Sequence, residues 1–215
     1  RGIVRSIRRE IIRLGGQVRF GVKMERLLLE NGRLYGVKTS EGELPAEVLV
    51  LAIGHSARDT FEALEAQQVF LERKPFSVGV RIEQRQQVID YGLYGAQAGH
   101  PLLPKGEYQL SWRDREGRGV YTFCMCPGGF VVASSSEENT VVTNGMSEYA
   151  RDGENANSAL VVSVDAADYG AGPLAGMAFQ RKLERSAFLL GGSDYRAPAQ
   201  SVKSFLEGSA PDLSK

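Results

Sequence analysis

The sequence predicts an α+β chain in two parts: a helix with a β-meander comes first, and a larger, mainly antiparallel β part with a long helix follows. Apolar residues recur with the helical period in residues 1–14 and 173–190. Short runs of β-forming residues fill most of the chain between these segments, and turn-forming pairs such as Asn31-Gly32 separate the runs. The length of 215 residues suits one large domain or two small ones.

The composition narrows the classes of function. Lysine plus arginine and aspartate plus glutamate each number 26, so the formal net charge is zero and no basic field attracts nucleic acid. Two cysteines are too few for a disulfide framework, and the sequence has neither a signal-peptide pattern nor an apolar run of about 20 residues. We therefore expect a cytoplasmic protein with reduced thiols and with neither nucleic acid nor a membrane as its partner.

The first part begins with a helix at residues 1–14, which Gly15-Gly16 ends. Four β-type runs follow at residues 17–20, 23–29, 33–39 and 47–53. Asn31-Gly32 favours a type I′ hairpin turn, because that turn needs positive φ at both central positions. The last run is apolar almost throughout at residues 48–53, which is typical of a strand covered on both faces.

Gly54, His55 and Ser56 follow this run and precede a helix predicted at residues 59–67. Backbone N–H groups at the start of a helix attract anionic groups, so these three residues are candidate binding residues. Together with Asp59 they also raise the possibility of a Ser-His-Asp hydrolase. The Gly-x-Ser-x-Gly pattern of a nucleophile elbow is missing, and the neighbouring His55 and Ser56 side chains are expected to point apart. We therefore set the hydrolase aside.

The second part opens with a strand at residues 76–83, where apolar and polar residues alternate strictly. Arg81 lies on the polar face of this strand, where it could bind a planar anion in a bidentate manner or pair with Glu83. The remaining elements are predicted as a short helix at 84–89, a long connection at 90–107 and strands at 108–113, 119–126, 130–134, 140–144 and 159–164. This number of strands indicates an antiparallel barrel or sandwich.

Residues 145–158 are predicted to form a polar loop that carries Arg151, Asp152, Asn155 and Asn157. Such a loop could contact a substrate or a cofactor, or its side chains could only satisfy the loop's own backbone. After the helix at 173–190, residues 195–200 are predicted to be extended.

Cys124 and Cys126 are the only cysteines, and they stand directly before the breaker Pro127-Gly128-Gly129. Residues two apart in a strand point to the same face, so both thiols are expected on one face of a sheet. A disulfide between them would be strained, because their Cα atoms would lie about 6.6 Å apart. Only His55 and His100 could complete a zinc site, and their spacing does not match one, so no metal is expected. The two thiols either pack in the core or face a ligand.

Six motifs stand in order along the second part: Lys74-Pro-Phe-Ser-Val-Gly-Val-Arg-Ile-Glu83, Phe123-Cys-Met-Cys-Pro-Gly-Gly129, Thr143-Asn-Gly-Met-Ser147, Asn155-Ala-Asn-Ser-Ala159, Pro173-Leu-Ala-Gly176 and Asp194-Tyr-Arg-Ala-Pro-Ala-Gln200. Together they resemble a bacterial family of uncharacterised FAD-dependent dehydrogenases. The helix, the meander and the turn at Ala52-Ile53-Gly54 also resemble two-dinucleotide-binding flavoproteins, in which that turn passes close to the FAD.

One element of those flavoproteins is missing. The sequence has no Gly-x-Gly-x-x-Gly motif, the loop that holds the FAD pyrophosphate, and it does not begin with Met. The resemblance implies that this loop lies before Arg1 and that a last FAD-contacting segment lies beyond Lys215. We therefore expect a piece of a longer protein, which by itself is inactive and need not bind FAD.

The resemblance implies a Rossmann-like FAD-binding domain fragment at 1–60, an inserted substrate domain at 61–205 and a flexible tail at 206–215. The parent would be an FAD-dependent oxidoreductase, a dehydrogenase that transfers a hydride through the flavin, with a small-molecule substrate and NADH or NADPH as reductant. Its partners would be that substrate and the rest of the parent polypeptide. The expected cofactor-binding residues are Gly54, His55, Ser56, Gly128 and Gly129, and the expected catalytic residues are Arg81, Cys124 and Cys126.

A second hypothesis remains open on fold analogy. The inserted domain could be a non-catalytic binding module for RNA or protein, in which the flavin is only structural.

Overall fold

Helices and antiparallel strands are mixed along the chain in the computed structural model, which describes residues 2–211. This is the α+β class that the sequence predicts. The chain divides into two units, Arg1–Leu71 and Glu72–Lys215. The assignment of 1–60 to a cofactor domain and 61–205 to a substrate domain stays a prediction, because compactness does not reveal what a unit binds. None of the helices within residues 2–211 combines the length and the apolar composition of a membrane-spanning helix.

The first unit is a three-stranded meander with two helices. Its elements are α1 (Gly2–Arg13), β1 (Met24–Glu30), β2 (Arg33–Thr39), β3 (Gly42–Pro45) and α2 (Arg58–Ala66). The strands pair in the order β1-β2-β3. Asn31 and Gly32 have φ values of 49° and 75°, which confirms the predicted type I′ character of the turn between β1 and β2. Leu28, Val37 and Leu64 are the buried apolar residues of this unit.

Two predicted strands of the first unit are wrong. Residues 17–20 and 47–53 are not strands, and the short β3 takes the third place in the meander. A strand covered on both faces needs neighbouring strands, and residues 48–53 have none among the described residues. Val48 and Val50 are 81% and 84% exposed, and no residue of α1 is buried.

The second unit contains a four-stranded sheet in the order β4-β9-β6-β5 and a two-stranded ladder, β7-β8. Its strands are β4 (Phe76–Arg85), β5 (Ser111–Arg113), β6 (Gly119–Cys126), β7 (Gly129–Ser134), β8 (Val142–Ser147) and β9 (Asn155–Val164). Its helices are α3 (Gln86–Tyr94), a short 3-10 helix (Gly95–Gln97), α4 (Ala166–Tyr169), α5 (Ala175–Leu190) and α6 (Val202–Glu207). The buried apolar residues are Ile89, Cys126, Val141, Ala156, Val164 and Phe188.

The strands of the second unit form two antiparallel sheets within the described part of the chain, so the predicted barrel is wrong, whereas the packing of β7 and β8 on the four-stranded sheet agrees with the alternative of a sandwich. The predicted loop at 145–158 is also wrong in part, because β8 extends to Ser147 and β9 begins at Asn155. Small polar residues read as a loop in the sequence, yet in β9 they pair with β4 along ten positions. Asn155 and Asn157 are therefore strand residues, whereas Arg151 and Asp152 remain in the connection.

Three short helices of the second unit were not predicted: the 3-10 helix, α4 and α6. Helix α4 is fixed by a capping box between Asp165 and Asp168, and the Ser201 hydroxyl caps α6. Helix α6 reaches Glu207, so the predicted tail at 206–215 begins inside a helix, and its residues 212–215 lie outside the described residues. Helix α5 confirms the helix predicted at 173–190, and α3 extends the predicted short helix to Tyr94.

Asp168 provides a test of the contacts that hold α4. It accepts two hydrogen bonds of 2.8 Å from the Arg118 guanidinium and one of 2.9 Å from the Asp165 backbone. The hydrogen bonds from Arg118, and then that from Asp165, lower the pKa of Asp168. A carboxyl whose pKa is lowered by folding stabilises the native state above its unfolded pKa of about 3.9, and this contribution is lost as the pH falls through the folded pKa.

We expect Asp168→Asn to lower the Tm near neutral pH and to make the fall of Tm below about pH 4 shallower than in the wild type. Glu116→Gln is the control, since Glu116 is an exposed carboxylate whose side chain has no partner within residues 2–211. The measurement is thermal unfolding by circular dichroism from neutral to acid pH. Parallel curves for the wild type and Asp168→Asn would contradict this account of α4.

Candidate functional site

The candidate site is built on an irregularity where β6 pairs with β9. Phe123 lies opposite Ala159, but the next paired residue of β6 is Cys126, which lies opposite Asn157. Three residues of β6 thus span two of β9, which is a β-bulge. Cys124 lies within this bulge with a φ of 48°, a backbone conformation that is uncommon for residues other than glycine.

The bulge overturns the expectation that both thiols share one face. The extra residue shifts the alternation, so Cys126 lies on the same face as Phe123, although the two are three residues apart. Cys126 is buried and Cys124 is exposed, and both are free thiols. The Cys126 thiol donates a hydrogen bond to the Cys124 carbonyl oxygen across 3.6 Å.

Arg81 holds this bulge in place. It stands opposite Ala159 on β4, its Nε donates to Asn157 Oδ1 at 2.7 Å, and its Nη2 donates to the Cys124 carbonyl at 2.7 Å. Cys126 Sγ lies 3.6 Å from the same Nη2. One edge of the guanidinium, formed by Nε and Nη2, therefore donates hydrogen bonds to neutral acceptors of the same chain. The remaining nitrogen, Nη1, has no partner within residues 2–211.

The alternative in which Arg81 pairs with Glu83 is wrong. The Glu83 carboxylate instead accepts hydrogen bonds from the Val131 backbone at 3.1 Å and from Asn155 Nδ2 at 2.9 Å. No carboxylate of the described residues forms an ion pair with Arg81, although Arg81 is half-buried. A cation in partial burial without a counter-ion attracts anions.

Asn157 is a residue of the site that the sequence analysis named only as one member of a predicted polar loop. It is only 1% exposed, and its Nδ2 is a buried donor without a hydrogen-bond partner among the described residues. A 180° flip of the Asn157 side-chain amide is excluded, because Nδ2 would then face Arg81 Nε and both of these nitrogens are donors. A buried polar group without a partner costs about 1–3 kcal/mol and therefore calls for an explanation.

Gly145 of β8 covers the same guanidinium. A Cβ at this position would lie 2.6 Å from Arg81 Cζ and would also collide with Arg81 Nη2 and Asn157 Oδ1. Only glycine allows the backbone of β8 to approach so closely. Four of the six motifs, those that contain Arg81, Cys124, Gly145 and Asn157, thus meet around one guanidinium.

Gly128 and Gly129 lie next to the bulge and are both buried. The Gly128 N–H donates to Gln86 Oε1 at 2.9 Å, and a Cβ on Gly128 would collide with the Arg151 carbonyl. A Cβ on Gly129 would collide with the Met146 carbonyl. Close packing of the chain accounts for both glycines, and their expected role beside a cofactor stays a prediction.

Gly54, His55 and Ser56 belong to the first unit, where all three are exposed. Gly54 has a φ of 69°, and Ser56 Oγ lies 3.3 Å from His55 Nε2, so these side chains meet rather than point apart. Asp59 does not complete a triad with them. Lys23, at 2.5 Å, and the Thr60 N–H bind its carboxylate and lower its pKa. The role of Gly54, His55 and Ser56 near a cofactor stays a prediction.

Comparison with known proteins identifies a family that this chain matches. The family described as FAD-dependent protein, C-terminal domain-like matches residues 75–215. The chain belongs to this family. A relative from Clostridium beijerinckii, described as an uncharacterized protein, is 49% identical over 209 residues. The match covers 96% of this chain and 39% of the relative, so the chain spans well under half of the relative's length.

The part that matches the FAD-dependent family contains Arg81 and the residues around its guanidinium, Cys124, Cys126, Gly145 and Asn157, which we call the Arg81 cluster. Gly128 and Gly129 lie in the same part. Gly54, His55 and Ser56 precede it. The donors of the cluster suit a flavin chemically, since the ring of FAD carries carbonyl oxygens that accept hydrogen bonds and becomes more negative on reduction. Arg81 supplies the uncompensated positive charge, and Asn157 supplies the unused donor.

Proposed function

We propose that this chain is the central, substrate-domain part of an FAD-dependent oxidoreductase that transfers a hydride through its flavin. The observation that carries the proposal is the half-buried Arg81 guanidinium, which has no carboxylate partner among the described residues and contacts the Cys124 carbonyl and the Cys126 thiol in the part that matches the FAD-dependent family. Positive charge fixed at such a place stabilises negative charge that develops during a reaction.

FAD, when bound, supplies the isoalloxazine ring that takes up and gives back the hydride, with NADH or NADPH as the source. The residues of this chain orient and stabilise the reacting groups. Arg81 is rigid, because three contacts to neutral groups fix its guanidinium. Cys124 is exposed at the bulge and is the thiol that can reach a ligand, whereas Cys126 is buried beneath it. Gly54, His55, Ser56, Gly128 and Gly129 are proposed to line the cofactor.

The test uses a longer polypeptide that extends this chain to the length of its Clostridium relative. The purified protein is expected to be yellow, and NADH or NADPH is expected to bleach the flavin band under anaerobic conditions. Arg81→Gln should retain the colour and slow the bleaching by about a hundredfold, which is typical of losing one preorganised charge. A colourless protein, or a flavin that neither nicotinamide reduces, would refute the oxidoreductase.

The thiols receive a separate test in the same assay. We expect Cys124→Ser to slow the bleaching by up to about tenfold, since a hydroxyl does not replace a contact between the polarizable sulfur and an aromatic ring, which is worth about 0.3–1.5 kcal/mol. Cys126→Ser is the comparison variant, and we expect it to change thermal stability more than rate because Cys126 is buried. If the double variant bleaches as fast as the wild type, both cysteines only pack the bulge.

A second candidate is a protein-binding module, which one observation favours. Val80 and Trp112 are 62% and 63% exposed, and the strand register places both on the face of the four-stranded sheet opposite to Arg81. An exposed apolar sheet face suits a protein partner better than RNA, and the formal net charge of zero also disfavours RNA. The bleaching assay separates this candidate from the oxidoreductase, because a binding module does not require a reducible flavin.

A further inference from the structure

We infer that Arg81 and Asn157 together form a binding site for a planar, negatively charged oxygen group of the carboxylate type. This inference deepens the proposed function. It rests on the proposed function in one respect, namely that the bound oxygen group lies at a reaction site. Two independent observations carry it: a half-buried cation without a counter-ion among the described residues, and a buried amide donor without an acceptor.

The chemistry of the two side chains selects the ligand. Asn157 Oδ1 is occupied by Arg81 Nε, so what the amide still offers is Nδ2, a donor only. Arg81 still offers Nη1, also a donor only, and carries the positive charge. Two unused donors beside one cation fit a group that accepts only and is negative, which excludes amines and disfavours neutral amides and alcohols.

The burial of the two residues gives the order of contact. Arg81 is half-buried, whereas Asn157 is 1% exposed, so the charged group meets the guanidinium first and its deeper oxygen engages the amide. Gly145 of β8 covers one side of this pair, where a Cβ would overlap both residues, so the charged group approaches from a side that β8 does not cover. When an oxygen of the ligand accepts a hydrogen bond from Asn157 Nδ2, it removes the free-energy cost of leaving this buried donor without a partner.

The oxygen group could come from a substrate carboxylate or from the ring of a reduced, anionic flavin. Both present delocalised negative charge on planar oxygen or nitrogen atoms, which a guanidinium recognises. The first experiment therefore tests the chemistry without flavin, and a second one identifies the source.

The first experiment is an NMR titration of the isotope-labelled chain with benzoate, with benzamide as the neutral control and sodium chloride as the control for ionic strength. We expect benzoate in the millimolar range to shift the Asn157 side-chain amide and Arg81 Nε resonances, and benzamide and chloride to leave them in place. The inference is overturned if benzoate moves neither resonance, or if benzamide moves both equally. It is also overturned if the Asn157 amide shows exchange with a buried water that benzoate does not displace.

Asn157→Asp is the matched variant, because it keeps the size of the side chain, gives Arg81 a counter-ion and removes the orphan donor. We expect it to bind benzoate at least about tenfold more weakly than the wild type. Equal affinity would exclude Asn157 from the site. Because the titration of the wild type needs no substitution, the inference remains testable even if this variant folds poorly.

The second experiment uses the longer, FAD-loaded protein. If benzoate binds and perturbs the flavin spectrum, the group belongs to a substrate; if benzoate instead competes with FAD, the oxygen belongs to the flavin. Both results support the inferred chemistry, and benzoate that neither binds nor competes overturns it. A flavin that neither nicotinamide reduces would refute the proposed oxidoreductase. The inferred binding site would still be supported in that case if benzoate binds to the chain without flavin.

Discussion

Gly145→Ala is expected to destabilise the second unit by about 1–3 kcal/mol and to loosen the Arg81 guanidinium at the same time. The new methyl group would lie 2.6 Å from Arg81 Cζ and would overlap Nη2 and Asn157 Oδ1. Either β8 moves away from the four-stranded sheet, or Arg81 gives up its hydrogen bonds to Asn157 and Cys124. Both responses remove packing or hydrogen bonds that the wild type has.

The measurement is urea unfolding at equilibrium, with the Arg81 Nε resonance as a local probe of the site. Gly92→Ala is the matched control: Gly92 lies in α3, a Cβ there has nothing within 4 Å, and its φ is not in the left-handed region. Alanine in a helix is favoured over glycine by about 0.5–1 kcal/mol, so this control should be slightly stabilising. If Gly145→Ala is as harmless as Gly92→Ala, β8 does not press on the guanidinium as described.

The elements with a strong local pattern could be predicted from the sequence. The strict alternation at residues 76–83 corresponds to β4, the helical stripe at 173–190 corresponds to α5, and Asn31-Gly32 makes the hairpin turn. In each case the signal lies within a few residues of the structure that it specifies. The apolar run at 48–53 misled for the opposite reason, because a strand is defined by its neighbours and this run has none among the described residues.

The residues of the candidate site also differ in whether nearby sequence or distant contacts determine their positions. The chemistry of the side chains and the family resemblance together point to Arg81, Cys124 and Cys126, and the structure brings these residues together. The bulge that separates the two thiols could not be predicted, since a two-residue alternation holds only while the register with β9 is regular. Asn157 was hidden in a polar segment that resembled a loop, and its meeting with Arg81 spans 76 residues of sequence.

Gln86 is the other residue whose importance only the structure reveals, and its replacement should have the largest effect on stability. Gln86 is 2% exposed, and its side chain joins two distant pieces of backbone and the Asp90 side chain. Oε1 accepts from the Gly128 N–H at 2.9 Å, while Nε2 donates to Asp90 Oδ1 at 2.7 Å and to the Gly106 carbonyl at 3.1 Å. It therefore ties the turn after Cys126 to α3 and to the connection that follows α3.

We expect Gln86→Leu to destabilise the protein by about 2–6 kcal/mol, because the Gly128 N–H and the Gly106 carbonyl would stay buried without a partner at about 1–3 kcal/mol each. Leucine has nearly the same size, so the loss reflects hydrogen bonding rather than a cavity. Gln87→Leu is the matched control, since the neighbouring Gln87 is exposed on the same helix. Urea unfolding at equilibrium gives both values.

Gln86→Glu separates the two halves of this network. Glutamate keeps the acceptor for the Gly128 N–H but loses the donor to Asp90 and Gly106, and at neutral pH it places a second negative charge beside the Asp90 carboxylate. Like charges in a buried place cannot both ionise cheaply, so the variant should be markedly less stable at neutral pH and should recover as the carboxyl group is protonated. A Gln86→Glu protein whose stability does not depend on pH in this way would mean that Gln86 does not bridge Gly128 and Asp90. The turn that carries Gly128 would then be held by its other hydrogen bonds, from the Gly153 N–H to the Gly128 carbonyl and from the Ser147 hydroxyl to the Pro127 carbonyl.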